Sequence, residues 1–317
     1  MLLSMKRSLL FVSCLWVVAA QLPAQGPDTS LATSGNPLRI AMLRWYQGSG
    51  NGSAVTLPAA ASSMVFDGTD VWVGTSAGLV QMRPGDGRVL ATYNIPGICQ
   101  LAFDGLNLWS VDCDTGMLSK IRASTGTVVG KFAIGTQLVG LAYDGAYIWV
   151  SNQSAQGTVT KMRAADGAPM GTFPVGSEPS TIAFDGQNIW VVNRASSSVS
   201  KLRASDGAVL GTFPTGNNPQ GIAFDGQNMW VTNIIPPTGV TKIQVSDGSS
   251  LGFFALPGNP FAVVFDGQSI WIGGSRTFKL DPSSAAILAS FEPTGVMVFD
   301  GASIWVGNQP SNSLSRL

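Results

Sequence analysis

The residues able to do chemistry are few in this sequence, and most of them stand in turns. There are 16 Asp and 2 Glu against 18 Lys and Arg, and no His at all. Without His the chain lacks the commonest general base, the Ser-His nucleophile pair and imidazole metal ligation. Eleven of the acids sit in Asp-Gly steps: Asp67, Asp104, Asp144, Asp185, Asp225, Asp266 and Asp300, then Asp86, Asp166, Asp206 and Asp247. Asp bonds nearby backbone N–H groups and Gly accepts positive φ, so turn geometry accounts for them. Asp28 lies in a leader, and Asp70 and Asp281 fall at turns. Asp112, Asp114, Glu178 and Glu292 remain as acids for ligand chemistry. Neither a Gly-x-Ser-x-Gly elbow with a His partner nor a Cys pair with metal spacing occurs.

The Asp-Gly steps expose the architecture that must position those residues. Phe or Tyr, then Asp-Gly, three residues and Trp recur seven times, starting at Phe66, Phe103, Tyr143, Phe184, Phe224, Phe265 and Phe299. The Trp residues are Trp72, Trp109, Trp149, Trp190, Trp230, Trp271 and Trp305. In the fifth unit, residues 221–224, 229–232, 240–245 and 251–255 are short β-branched or aromatic runs bounded by turn residues. Four short strands per roughly 40 residues is the pattern of a β-propeller blade. The fold class expected is therefore all-β, a seven-bladed propeller of four-stranded antiparallel blades. The last unit ends inside its third strand, while residues 54–58 (AVTLP) read as an orphan strand. Joining the two closes the ring and hides sheet edges. The seven Trp are expected to pack between blades.

In such a blade the loops before strand one and between strands two and three share one face, over the channel mouth. The Asp-Gly turns lie on the other. Three residues after each Trp stand Thr75, Asp112, Asn152, Asn193, Asn233, Gly274 and Asn308. The Asn residues either cap their loops as Asx turns or form a ring of amides around the mouth. Arg194 and Glu178 either pair with each other or read a polar ligand. The loop Ile234-Ile235-Pro236-Pro237 and Phe261 are apolar, suggesting partner contact; the alternative is packing on a neighbouring loop. Cys99 and Cys113 fall at matching ends of neighbouring strands, so a disulfide fits. The loop it closes would stabilise by about 3 kcal/mol; the alternative is a pair of buried thiols. Third-strand Lys120, Arg122, Lys161, Arg163, Lys201, Arg203 and Lys242 read as a solvated outer rim.

Ahead of the repeats, Lys6 and Arg7 precede an apolar run over 8–20, which is too short for a bilayer of about 30 Å. Residues 1–24 are read as a secretory signal peptide cleaved after Ala24, the alternative being an uncleaved anchor. Residues 25–38 are read as a flexible leader, and 39–317 as one propeller domain. The segment 39–46 (RIAMLRWY) is either an added strand or a cap. With 45% apolar residues, 38 Gly and zero net charge, the chain fits neither a disordered segment nor a helical bundle nor a nucleic-acid binder.

The runs WVVN, SVSKLRASDG and GIAFDG make residues 54–317 resemble bacterial YVTN-type β-propeller repeats. They are also similar to NHL-like and virginiamycin B lyase-like (streptogramin lyase) propellers. WD40 proteins share the broad WD40-like architecture, but their Gly-His and Trp-Asp dipeptides are absent here. The lyase resemblance implies a His base with magnesium, which a chain without His does not supply. Lactonase-type propellers imply a metal held by converging carboxylates and Asn side chains. The reading that results is a secreted binding or interaction module without a catalytic centre. Its sites are Asp112, Asp114, Asn152, Glu178, Asn193, Arg194, Asn233, Ile234, Ile235 and Phe261. No cofactor or metal is called for. The expected partner is a protein, glycan or small molecule of the cell envelope, with no nucleic acid and no transmembrane segment in the mature chain. The alternative is an atypical metal-dependent propeller lyase or hydrolase using Asp112, Asp114, Glu178 or Glu292.

Overall fold

The computed structural model describes residues 55–309 and 311–317. Residues 1–24 and 25–38, read above as a signal peptide and a leader, and the segment 39–46 lie outside the described residues. Among those described, 28 strands form seven four-stranded sheets. Six sheets are continuous in sequence, over residues 61–93, 98–133, 138–174, 179–214, 219–255 and 262–291. The seventh takes three strands from 297–316 and its outer strand from Val55–Thr56. Val55 pairs with Leu314 and Thr56 with Ser313, so the three-plus-one closure holds. The first strands of successive blades touch in cyclic order, the last against the first, and so line the centre of the ring.

Alternation along the second and third strands buries nearly every side chain, because both faces of these strands are covered by neighbouring blades. The fourth strands alternate between half-buried and exposed positions, as outer edges do. In the fifth blade the strands are Pro219–Phe224, Asn228–Asn233, Gly239–Gln244 and Ser250–Ala255. The first, second and fourth run one or two residues further than the apolar pattern indicates, because residues at their ends still pair, as Pro219 does with Asn233, and the third is shifted by one residue.

Seven apolar clusters hold the ring, one at each blade junction, and each contains the Trp of one blade with side chains of the next. Trp190, for example, packs with Met229 and Ile243 of the following blade. The Asp of the repeat anchors it from below. Asp185 Oδ1 accepts from the backbone N–H of Gln187 and Asn188, and Oδ2 accepts from Trp190 Nε1 at 2.8 Å. All seven blades repeat the Asp–indole bond, at 2.7 to 2.8 Å. One carboxylate thus ties a turn and a core residue together, a role beyond the turn chemistry that its sequence position suggests.

The basic third-strand residues correct the expectation of a solvated rim. The arginines Arg122, Arg163 and Arg203 are exposed, but Lys161, Lys201 and Lys242 are buried. Each of these Lys Nζ atoms lies 5.0 to 5.2 Å from the ring of its cross-strand Trp. Each also donates to a carbonyl of the next blade: Lys161 to Ala204 and Ser205, Lys201 to Val245, Lys242 to Pro282. Lys and Arg stand two apart and so share one strand face, but the Lys is mid-strand under the next blade while the Arg has reached the turn, and the Lys row staples blade to blade.

Candidate functional site

The loops joining strands two and three, and those leading into strand one, gather on the channel-mouth face. Asn193 and Asn233 at the ends of second strands are fully buried, and Asn152 is half-buried. Their carboxamides neither cap loops as Asx turns nor stand free around the mouth. Asn152 Nδ2 donates to Thr158 and Thr160, Asn193 Nδ2 to Ser198 and Ser200, and Asn308 Nδ2 to Ser313 and Ser315. Asn233 Nδ2 donates to Val231 O and Thr241. A glycine of the incoming loop lies over each of Asn152, Asn193 and Asn233. A Cβ on Gly176 would come within 2.6 Å of the Asn193 carboxamide carbon, and one on Gly135 within 2.6 Å of Asn152 Oδ1. These side chains lock strand two to strand three beneath that cover. Asp112 does form the Asx turn, accepting from Asp114 N and Thr115 N.

The acids stay apart. Glu292 pairs with Arg276 at 2.8 Å, with both side chains exposed. Glu178 and Arg194 meet through the backbone, where Arg194 N donates to Glu178 O at 3.0 Å. Their side chains form no ion pair, so the simple pairing read from the sequence is replaced by a loop contact. Asp114 is exposed and borders a pocket of about 320 Å³ between the first two blades. Cys99 and Cys113 line the same pocket, joined in a disulfide with their Cα atoms 6.0 Å apart. Among the described residues no three Asp, Glu or Cys converge as a metal site would require.

One corner of the mouth does assemble. Arg194, half-buried just after the second strand of the fourth blade, reaches the loop entering the fifth. With its carboxamide oriented to satisfy its neighbours, Gln220 accepts from Arg194 Nε at 2.7 Å and from Nη2 at 3.1 Å. Asn218, in the left-handed region at φ 49°, places its carboxamide 2.7 Å from the same Gln220 group. The backbone of Asn218 and Asn217 also pins the apolar loop, accepting from Ile234 N and Ile235 N, while Asn217 Nδ2 donates to Pro236 O. Ile235 is 48% exposed beside this cluster. Phe261 is half-buried at the start of the next blade, its N–H bonded to Gly273 O at 2.8 Å. The structure therefore brings Arg194, Ile234 and Ile235 together through Asn218 and Gln220. Sequence reasoning passed over those two amides. Their signal was their position in the repeat, where Asn218 aligns with Glu178 and Gln220 with Ser180 of the preceding blade.

No family model matches the chain, and neither does any curated protein. Solved structures do match. Hydrazine synthase of Kuenenia stuttgartiensis is 16% identical, with a TM-score of 0.72 over 85% of this chain and 98% of that one. A streptogramin B lyase is 16% identical, with a TM-score of 0.70 over 83% of this chain and 96% of that one. U3-55K is 13% identical, with a TM-score of 0.72 over 84% and 98%. At these identities the likeness establishes the seven-bladed propeller and nothing of the chemistry each performs.

Proposed function

We propose that this chain is a secreted binding module that captures an anionic, partly apolar ligand at the channel mouth, in the corner formed by blades four and five. The observation that carries the reading is Arg194. Its half-buried guanidinium is held by neutral carboxamides, and among the described residues no carboxylate pairs with it. A guanidinium positioned in this way keeps donors for a carboxylate or phosphate, which it grips in a bidentate fork. The exposed Ile235 beside it offers apolar contact. Glu178 borders the corner through its backbone carbonyl, which accepts from Arg194 N. The metal-dependent reading lacks such support, because among the described residues Asp112, Asp114, Glu178 and Glu292 do not converge.

The test is a thermal melt of residues 25–317 with acetate, succinate or inorganic phosphate as probe. A ligand at 100 times its Kd stabilises by about 2.7 kcal/mol. At least one anion should raise Tm in the wild type and leave Arg194→Gln unmoved. Equal response of the two proteins, or none in either, sinks the reading. A drop in EDTA that calcium or magnesium reverses would favour the metal-dependent alternative. Secretion is checked separately: N-terminal sequencing of exported protein should begin at Gln25.

A further inference from the structure

A second site lies on the opposite face, among the Asp-Gly turns. Between blades four and five a groove of about 630 Å³ runs past Gln187 and Asn188 on one side and Phe224, Gln227 and Gln244 on the other, over Lys201. Its charges are already spent inside the protein. Asp185 gives Oδ1 to two backbone N–H groups and Oδ2 to Trp190 Nε1 and Asn188 Nδ2. Lys201 Nζ donates to Val245 O at 2.6 Å and lies over the Trp190 ring. What the groove offers a ligand is neutral. Gln187 and Gln227 are exposed, and the fold uses only their main-chain N–H and C=O groups, which leaves both carboxamides to solvent. Half-buried Phe224 supplies an aromatic surface in the wall.

Carboxamides that both donate and accept, set beside an aromatic ring with no net charge to satisfy, match the vicinal hydroxyls and the C–H face of a sugar. The turn is also periodic. Asp-Gly-Gln-Asn occurs in blades four and five, and blade six follows with Asp266-Gly267-Gln268-Ser269, where Gln268 N again bonds Asp266. The other four turns place Thr69, Leu106, Ala146 and Ala302 at that position. A row of identical amides on three consecutive blades suits a polymer of repeating units better than a single small molecule.

We infer that this groove binds a neutral oligosaccharide chain, with Gln187 and Gln227 taking hydroxyl groups and Phe224 stacking on a ring. The inference stands apart from the Arg194 site, which occupies the other face. The experiment is calorimetric titration of residues 25–317 with cellohexaose, maltoheptaose, laminarihexaose and chitohexaose. At least one should bind, and Gln187→Ala/Gln227→Ala should weaken it by about tenfold or more. Both positions are exposed, so the double variant should melt with the wild type. Arg194→Gln should bind the sugar unchanged. Failure of all four sugars to bind at millimolar concentration overturns the assignment. So does equal affinity in the double variant.

Discussion

Asp185 shows how much one side chain carries here. Its two oxygens hold the Asp-Gly turn and the indole of Trp190 at once. Replacing it with Ala leaves a buried indole N–H without a partner, so Asp185→Ala should cost about 1–3 kcal/mol in urea unfolding. The same carboxylates make the fold acid-sensitive. For Asp104, Asp185, Asp225 and Asp266, burial works to raise the pKa, but the indole and turn donors outweigh it and hold each below its ordinary 3.8. Because the folded-state value is the lower one, each group stabilises the protein above pH 3.8, and that stability is lost as pH falls below it. The urea midpoint should hold from neutrality to about pH 5 and fall steeply below about pH 4. A midpoint unchanged at pH 3 would contradict this account.

A strand's period of two does not by itself settle which side chains are buried. Lys161 and Arg163 stand two apart on one strand with a buried Met between them, yet Lys161 is 4% exposed and Arg163 lies open. The twist and the end of the blade explain the contrast. Lys161 sits mid-strand against Trp149 and the carbonyls of the next blade, while Arg163 has reached the turn and pairs there with Asp166. Burial pushes the Lys161 ammonium down from its ordinary pKa of 10.5, although Asp144 and Asp206 oppose the shift. Lys161→Met should therefore cost about 1–3 kcal/mol by stranding two carbonyl groups. Arg163→Met, removing an exposed pair, should change stability by less than about 0.5 kcal/mol. Equal effects would return the Lys row to the solvated rim. Outer strands show a second device. Opposite Lys120, Lys161, Lys201, Lys242 and Lys279 the register shifts by a bulge. The extra residues Val129, Met170, Leu210, Leu251 and Leu288 are all exposed. Such bulges twist an edge away from regular pairing, which protects outer strands from joining other chains.

Across the whole molecule, cohesion comes from seven junctions rather than one core. Each junction buries a Trp against the next blade, and the two-residue strand Val55–Thr56 makes the seventh possible by joining the chain's far end. Trp305 sits in that closing junction with Met64, Val71 and Met82 of the first blade. Trp305→Ala should cost about 3–5 kcal/mol. Since the blades contact one another cyclically, the loss should lower a single unfolding transition. A calorimetric trace that splits into two transitions would mean that the ring does not unfold as a unit. At this scale the two faces also separate by chemistry. The mouth carries an unneutralised guanidinium, and the turn face carries neutral amides between charges that are already satisfied.

Seven Phe/Tyr-Asp-Gly units, each followed by a Trp five residues after the Asp, were enough to read strand count, blade number and ring closure directly, because turn chemistry and a period of two act between residues near in sequence. The Cys99 and Cys113 alignment was legible for the same reason. What each polar side chain meets was not. Whether Lys161 faces water or a carbonyl of the next blade, whether Asn193 caps a loop or locks two strands, and whether Arg194 finds Glu178 or Gln220 depend on contacts between blades some 40 residues apart. Those contacts exist only once the ring has closed and fixed the distance between neighbouring sheets. Burial then assigns each polar group its partner, and no repeat within one blade encodes that choice.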